Sequence, residues 1–599
     1  MNFYYIVKGD NMNGRKRVGK CINKSFEQII SFKKKYLINS LGVKIIEGIM
    51  PAVNVVLLQQ IINIIQEQQS NLHMLVLYIV IYIIIHEVTE LISLNYLKYS
   101  NDFGLEFSNY INEKMMDKAL DLSLYDFENS ETYNIINRAQ SQNGNDIIGY
   151  VNNIFNTMQQ IIAVISMVYI LLQFRWQIVM VIIVVPMIKS VLIYVLDKEA
   201  YRIRIQRTSN ERKKWYLNFL VMTGNAFKEI KIFGLKEIIL QKYIGLQKQA
   251  VKEEKEIFFK QTVTNVGVEL VEGILFGGIL FYIFHLAYLR VILLGDATAY
   301  IDSVDNIKNY VNSIVNSINN IIDQSMYIQF LYEYLEINVK KDDNKIEIEK
   351  INKIKFENVS FQYNSSNYGV QNLNFEISQN QTVAIIGENG SGKTTLMKLL
   401  LGLYFQYDGK ILINGHELNT IKKESYYEKL SAVFQDFIKY EASLKENIAY
   451  GNIKEINKDE RINQLVKEIG LGEKIKNADG INLMLGNWFG ENQCSGGEWQ
   501  RIAIARALFN KNAEIYFFDE ADAALDVIKQ KEMYELIRKS LKNKICIYVS
   551  HKISYICKKA DIVIVLRNGK IEEIGTHDEL INNNNYYYEM YLKSVNENK

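Results

Sequence analysis

Asn492-Gln493-Cys494-Ser495-Gly496-Gly497-Glu498-Trp499-Gln500-Arg501 sets a serine and two glycines directly before an apolar helix, Trp499 to Phe509. Upstream of it the strand Thr382-Val383-Ala384-Ile385-Ile386 runs into Gly387-Glu388-Asn389-Gly390-Ser391-Gly392-Lys393-Thr394-Thr395 and then the apolar run Leu396 to Leu401. Strand, glycine-rich loop and helix in that order make a phosphate cradle. The glycines let backbone N–H groups converge on phosphate oxygens, and the helix N-terminus adds its partial positive charge. Lys393 would reach the β- and γ-phosphates, and the Thr394 hydroxyl would hold Mg²⁺. Downstream, the buried strand Ile515-Tyr516-Phe517-Phe518 ends in Asp519, a carboxylate able to hold Mg²⁺, and Glu520 follows as a candidate general base for an attacking water.

The phosphate loop, the Ser-Gly-Gly stretch and the Asp-Glu pair, in this order, resemble the ATP-binding cassette (ABC) family. The resemblance covers nearly the whole chain and implies an ATP hydrolase with ATP and Mg²⁺ as cofactors. It adds roles that the residues alone do not carry. Tyr363, which closes the strand Ile354 to Tyr363, would stack on adenine, although a lone tyrosine more often packs a core. Gln435, in Ala432-Val433-Phe434-Gln435-Asp436, would touch Mg²⁺ and a coupling helix. Ser495, Gly496, Gly497 and Glu498 would be presented to the γ-phosphate held by the opposite subunit. Ala523-Ala524-Leu525-Asp526 resembles the family's D-loop with Ala where Ser is common, and His551 falls where a histidine contacts the γ-phosphate and aligns base and water. Cys494 and Glu498 depart from the usual Leu and Gln, which bears on rate and not on role. A head-to-tail arrangement needs two ATPase domains and one chain has one set, so the expected working unit is a dimer. With both Glu520 and His551 present, a homodimer is favoured and a heterodimer stays open.

Apolar residues make up 48% of the 599 positions, but they crowd into the first half, whereas the rest alternates short apolar strands with polar turns. One half belongs to the membrane and the other to water. A net charge of +2, without a basic stripe interleaved with aromatics, gives no reason to expect nucleic acid as a partner. Cys21, Cys494, Cys546 and Cys557 have neither zinc spacing nor the density of a disulfide framework. The other five histidines, His73, His86, His285, His416 and His577, share no ligand spacing. Arg15, Lys16, Arg17, Lys20, Lys24, Lys33, Lys34 and Lys35 mark a basic N-terminal segment, expected in the cytoplasm by the positive-inside rule. Residues 1–36 are too few for the cysteine-peptidase domain of some peptide exporters, so any leader cleavage is expected elsewhere.

Six apolar runs are candidate spans: Leu37 to Ile65, Leu72 to Tyr96, Ile154 to Leu172, Ile178 to Leu196, Val263 to Leu289 and Val291 to Tyr327. Two long loops, Asn101 to Asn153 and Asp197 to Gln261, keep helical spacing, and the second carries Arg202, Arg204, Arg207, Arg212, Lys213 and Lys214. Both therefore read as cytosolic continuations of the membrane helices. This matches the exporter-type ABC fold, an α-helical transmembrane domain followed by an α/β P-loop ATPase domain. By that resemblance Tyr125 to Arg138 and Lys228 to Gly234 would be coupling helices; the plain alternative is helical hairpins with solvated charges. The expected boundaries are 1–36 for the basic segment, 37–335 for the transmembrane domain, 336–352 for a linker and 353–599 for the ATPase domain.

The last apolar run carries an apolar stripe at helical spacing, yet Asp302, Asp305, Asn309, Asn312 and Asn316 fill another face. A carboxylate at bilayer depth costs at least about 2.5 kcal/mol on insertion scales, so such a face should look into water or onto a partner. With Glu269 and Glu272 these residues suggest a hydrated, net acidic cavity for a polar, cationic substrate. Alternatively several of these carboxylates lie on the cytosolic extensions or near the outer surface, where they are merely solvated.

Trp488-Phe489-Gly490 and Trp499 within Gly-Gly-Glu-Trp-Gln-Arg are similar to bacterial exporters of modified peptides, such as the lanthipeptide transporters without a peptidase domain. The expectation is ATP-driven export of a cationic peptide from the cell membrane. A multidrug exporter or lipid flippase is the main rival, and an importer or ATP-gated channel is a further alternative.

Overall fold

The computed structural model describes residues 10–67, 72–140, 142–189, 192, 208–224, 226–338, 345–363, 369–476, 479–486, 493–520, 527–551, 553 and 555–597. The chain forms two compact units: Met1–Leu120 with Asn134–Ile337, and Asp121–Tyr133 with Asn338–Lys599.

The first unit is helical. It begins with α1 (Asp10–Lys33), α2 (Lys35–Gln66) and α3 (Leu72–Asp121). After the short α4 (Leu124–Glu128) and α5 (Ser130–Ala139), it continues with α6 (Gly144–Leu172), α7 (Trp176–Lys189) and α8 (Thr208–Met222). It closes with α9 (Phe227–Ile232), α10 (Lys236–Tyr288) and α11 (Leu294–Leu335). The 50 residues of α3 and the 53 of α10 make rods longer than any bilayer core. At 1.5 Å per residue each is about 75–80 Å long, against roughly 30 Å of hydrocarbon. The expected cytosolic continuations are therefore the same helices carried on without a break.

Among the described residues four helices, α2, α3, α6 and α10, are long and apolar enough to cross a membrane, and α7 is apolar but shorter. The fourth expected run continues past Lys189 into residues that are largely outside the description, as are Arg202, Arg204 and Arg207. The sixth expected span is one unbroken helix, α11, whose Asp and Asn content takes it out of the apolar class. Small residues hold the bundle close. A Cβ on Gly48 would come within 2.9 Å of Gln159 O and Ile162, and one on Gly144 within 2.5 Å of Ser108 Cα, so α6 lies tight against α2 and α3. Asp296, in the first turn of α11, accepts from Gln59 Nε2 at 2.7 Å and Asn63 Nδ2 at 2.8 Å on α2.

The second unit carries two sheets. β1 (Lys353–Gln362), β2 (Gly369–Ser378), β4 (Asp408–Ile413) and β5 (His416–Glu417) form an antiparallel sheet in the order β2-β1-β4-β5. The larger sheet runs β10-β9-β3-β8-β7-β6, from β3 (Thr382–Ile386), β6 (Leu430–Val433), β7 (Ile515–Asp519), β8 (Ile545–Ser550), β9 (Ile562–Arg567) and β10 (Lys570–Gly575). Its strands are parallel except for β10. The five residues of β7 are all buried, as expected of a parallel strand covered on both faces. Helix α12 (Lys393–Leu400) packs Leu396, Leu399 and Leu400 into the core between the sheets. A second core gathers α13 (Leu444–Ala449), α14 (Asp459–Glu468) and α15 (Gly496–Phe509) around buried Trp499. Helix α4 belongs to this unit too, and its Leu124 and Tyr125 pack against the first core.

Candidate functional site

Strand register assembles the site. Ile386 at the end of β3 pairs with Ser550 at the end of β8, and Val549 pairs with Asp519 at the end of β7. The phosphate loop after β3, Glu520 after β7 and His551 after β8 therefore leave the sheet at one edge, the carboxyl edge where parallel α/β sheets bind ligands. Gln435 reaches the same edge, two residues beyond Val433, which pairs with Phe518.

Gly392 caps α12 with φ 101°, a conformation that side chains other than glycine's rarely adopt, and a Cβ there would come within 2.9 Å of Val370 Cγ1. Gly387 is buried, whereas Glu388, Asn389 and Gly390 are exposed on the rim. Ser391 Oγ is buried and, among the described residues, has no hydrogen-bond partner. Lys393 Nζ donates to Gly387 O and Glu388 O, both at 2.9 Å. Burial lowers its pKa, while Glu520 and Asp519 act in the opposite sense. Thr394 is exposed, but Thr395 is buried, and its Oγ1 lies 3.2 Å from the Tyr363 hydroxyl. Thr395 thus braces the proposed adenine platform rather than the phosphate end.

Glu520 sits at φ 47°, a left-handed strain that persists where neighbours hold a side chain in place. Its backbone N–H donates to Val549 O at 3.0 Å. One carboxylate oxygen accepts from Gln435 Nε2 at 2.8 Å, and the other meets His551 Nδ1 at 2.8 Å. Gln500 Nε2 donates to the Glu520 carbonyl at 3.4 Å, so the helix carrying the Ser-Gly-Gly stretch braces the same residue. Asp519 is 5% exposed; desolvation first, then the neighbouring Glu520 charge, push its carboxyl up to about 6. Thr394, Gln435 and Asp519 offer oxygen donors, the hard ligand set that Mg²⁺ takes, and Ser391 Oγ suits a phosphate oxygen.

Ser495 caps α15, with Glu498 N donating to its Oγ at 3.3 Å and its own N–H donating to Glu498 Oε2 at 2.8 Å. Glu498, read in sequence as a departure, is the acid of a capping box, and it also pairs with Lys474 at 3.4 Å. Burial pushes its carboxyl up, but the Ser495 backbone N–H and the Lys474 charge outweigh burial and hold it low. Gly496 and Gly497 form the first turn beside it. Asp526 and the stretch Trp488-Phe489-Gly490 lie outside the described residues.

A sequence model of the ABC transporter family matches residues 370–523. A subtilin transport ATP-binding protein of Bacillus subtilis is 32% identical over 94% of this chain and 92% of its own length. The chain belongs to the ABC transporter family. A nisin transport ATP-binding protein of Lactococcus lactis is 29% identical over 94% of both, and an ATP-dependent lipid A-core flippase of Xanthomonas campestris is 25% identical over 78% of this chain. An ATP-bound bacterial Atm1-family ABC exporter has the same fold, with TM-score 0.75 and 19% identity over 94% of this chain and 98% of that one.

In this ABC transporter the expected cavity residues fall in two groups. Asp302, Asp305, Asn309, Asn312 and Asn316 share one face of α11, away from buried Val304, Ile307 and Val311. Glu269 on α10 instead pairs with Lys189 at 2.7 Å and Lys308 at 3.7 Å, and fully buried Glu272 lies 3.6 Å from Lys189. These cations offset the acidic surplus that α10 contributes. Residues the sequence reading passed over include Gln500, Lys474 and a cluster of Glu128, Lys398 and Tyr404. Only the Ser-x-x-Glu spacing at Ser495 and Glu498 could have signalled any of this contact network in advance.

Proposed function

We propose that two copies of this chain export a cationic peptide across a bacterial cell membrane at the expense of ATP. The basic N-terminal segment and the ATPase domain lie on the cytoplasmic side, and the boundaries are those read from the sequence. The observation that carries this reading is the full-length similarity to proteins named for subtilin and nisin transport, joined to a polar face on α11. Helix α9 leaves Phe227 and Ile232 exposed, with Phe233 just after it, an apolar tip suited to burial on a second copy.

ATP would lie with adenine on Tyr363 and its phosphates in the loop Gly387 to Thr394. Ser495, Gly496 and Gly497, with Asp526, would close on the γ-phosphate from the other copy. Thr394, Gln435 and Asp519 would hold Mg²⁺, which when bound neutralises charge building on the β- and γ-phosphate oxygens. Lys393 would turn from its loop carbonyls to those oxygens. Glu520, held between Gln435 and His551, would take the proton of the attacking water, and His551 would keep the carboxylate aimed.

The test is the ATPase rate of the protein in lipid nanodiscs, with Glu520→Gln as control, titrated with a basic peptide and with a hydrophobic cationic drug. Saturable stimulation by the peptide alone supports the reading. Stimulation only by drug or lipid moves the assignment to the multidrug or flippase class.

A further inference from the structure

Within the ATPase unit, one carboxylate of the short helix α4 is tied to the nucleotide site by side-chain contacts. The Tyr404 hydroxyl donates to Glu128 Oε2 at 2.5 Å, and Lys398 Nζ donates to Glu128 Oε1 at 2.9 Å. Tyr404 is fully buried, its ring stacked on Phe361 with centroids 4.6 Å apart. Its hydroxyl lies 3.4 Å from that of Tyr363, whose ring it meets edge to face at 5.9 Å, and the Tyr363 hydroxyl reaches Thr395 Oγ1 at 3.2 Å. Lys398 stands one turn beyond Thr395 on α12, the helix that issues from the phosphate loop. Burial, with the Glu128 carboxylate next, raises the Tyr404 phenol well above its ordinary range, so it stays a neutral donor. Glu128 thus receives one hydrogen bond from the base side of the site and one from the phosphate side.

We propose that Tyr404 is a positioning residue through which a base stacked on Tyr363 fixes the seat of α4, so that this helix distinguishes a bound adenine nucleotide from a bare phosphate chain. The proposal rests on the reading of Tyr363 as the adenine platform. A stacked purine pins the Tyr363 ring, and with it the neighbouring hydroxyl that shares the Tyr404 contact. A tripolyphosphate leaves that ring free while still reaching Lys393. Only a ligand that contacts the two seats of α4 differently can shift it, and the base supplies that difference.

The test is hydrogen exchange at residues 121–133 in the full-length protein in nanodiscs, carrying Glu520→Gln, with ATP or with inorganic tripolyphosphate. The expected result is slower exchange at 124–128 with ATP than with tripolyphosphate. Tyr404→Phe, which keeps the stack on Phe361, should abolish that difference while the ATP Kd is retained. Glu128→Gln should do the same, with the double variant no worse than either single one. Survival of the difference in both single variants, or additive losses, would overturn the proposal. Glu128→Gln, at an exposed position, decides the matter if Tyr404→Phe lowers the melting temperature. Tyr363→Ala separates the two readings. An unchanged ATP Kd there removes the adenine platform, whereas a weakened Kd with the exchange difference intact in Tyr404→Phe removes the relay alone.

Discussion

Glu520 Oε1 and His551 Nδ1 meet at 2.8 Å across two neighbouring strand ends, while the second oxygen of the same carboxylate is held by Gln435. Both oxygens are engaged, which fixes the direction in which the base points. Glu520→Gln should lower kcat for ATP by roughly 10²–10⁴-fold, the range for a lost general base, with the ATP Kd little changed. His551→Ala should lower kcat less, since the carboxylate survives and only its aim is lost. Steady-state turnover alongside equilibrium nucleotide binding checks both, and equal loss of Kd and kcat would contradict the assignment.

Asp519 carries a pH signature. Its folded pKa of about 6 stands above the 3.8 of an unperturbed aspartate, so the native state holds a proton that the unfolded chain has lost between those values. The nucleotide-free protein is therefore penalised above pH 6 and relieved as pH falls through it. Asp519→Asn should raise the melting temperature of the ATPase unit by several degrees at pH 7.5, with the gain vanishing toward pH 4. Scanning fluorimetry across that range without Mg²⁺ measures it.

Glu498 supports its own helix. Glu498→Ala removes the capping box on Ser495 and should cost about 1 kcal/mol, whereas Glu498→Gln keeps a reciprocal bond and should cost less. Melting curves of the two variants give the comparison. A larger loss for Gln than for Ala would assign the residue some other role.

Trp499 is 6% exposed inside the second core, where the sequence reading linked it to peptide exporters. Trp499→Ala should destabilise by about 3–5 kcal/mol through the cavity it leaves, and any change in peptide preference should follow only from unfolding. A variant with unchanged melting temperature and altered selectivity would reverse that conclusion.

Asp302, half-buried, and Asp305, exposed, lie on the polar side of α11. Replacing both with Asn should weaken stimulation of ATPase by basic peptides several-fold and leave neutral ones nearly unaffected. Parallel titrations with the two peptide types provide the measurement, and equal losses would remove the acidic-cavity idea.

The phosphate loop was legible because its ligands are consecutive: spacing in sequence is spacing in space when strand, turn and helix are each local. Asp519, Glu520 and His551 were legible as strand ends, and register alone then places them side by side. The long rods α3 and α10 followed from helical periodicity running through charged stretches. Glu128 was not legible as a partner of Tyr404, because 276 positions separate them and no local pattern marks a carboxylate that pairs so far along the chain. Nor was the split role of Thr394 and Thr395, which differ in what they face and not in residue type. The pairing of Glu269 with Lys189 was hidden for the same reason, being set by helix packing rather than by spacing.

The uninterrupted length of α3 has a mechanical meaning. A single hydrogen-bonded rod about 75 Å long, pivoting by about 5° at one tip, sweeps its other tip through roughly 6 Å, close to one helical turn. Small angular displacements at one extremity are thereby amplified into strokes comparable to a side-chain length, and no hinge within the rod absorbs them.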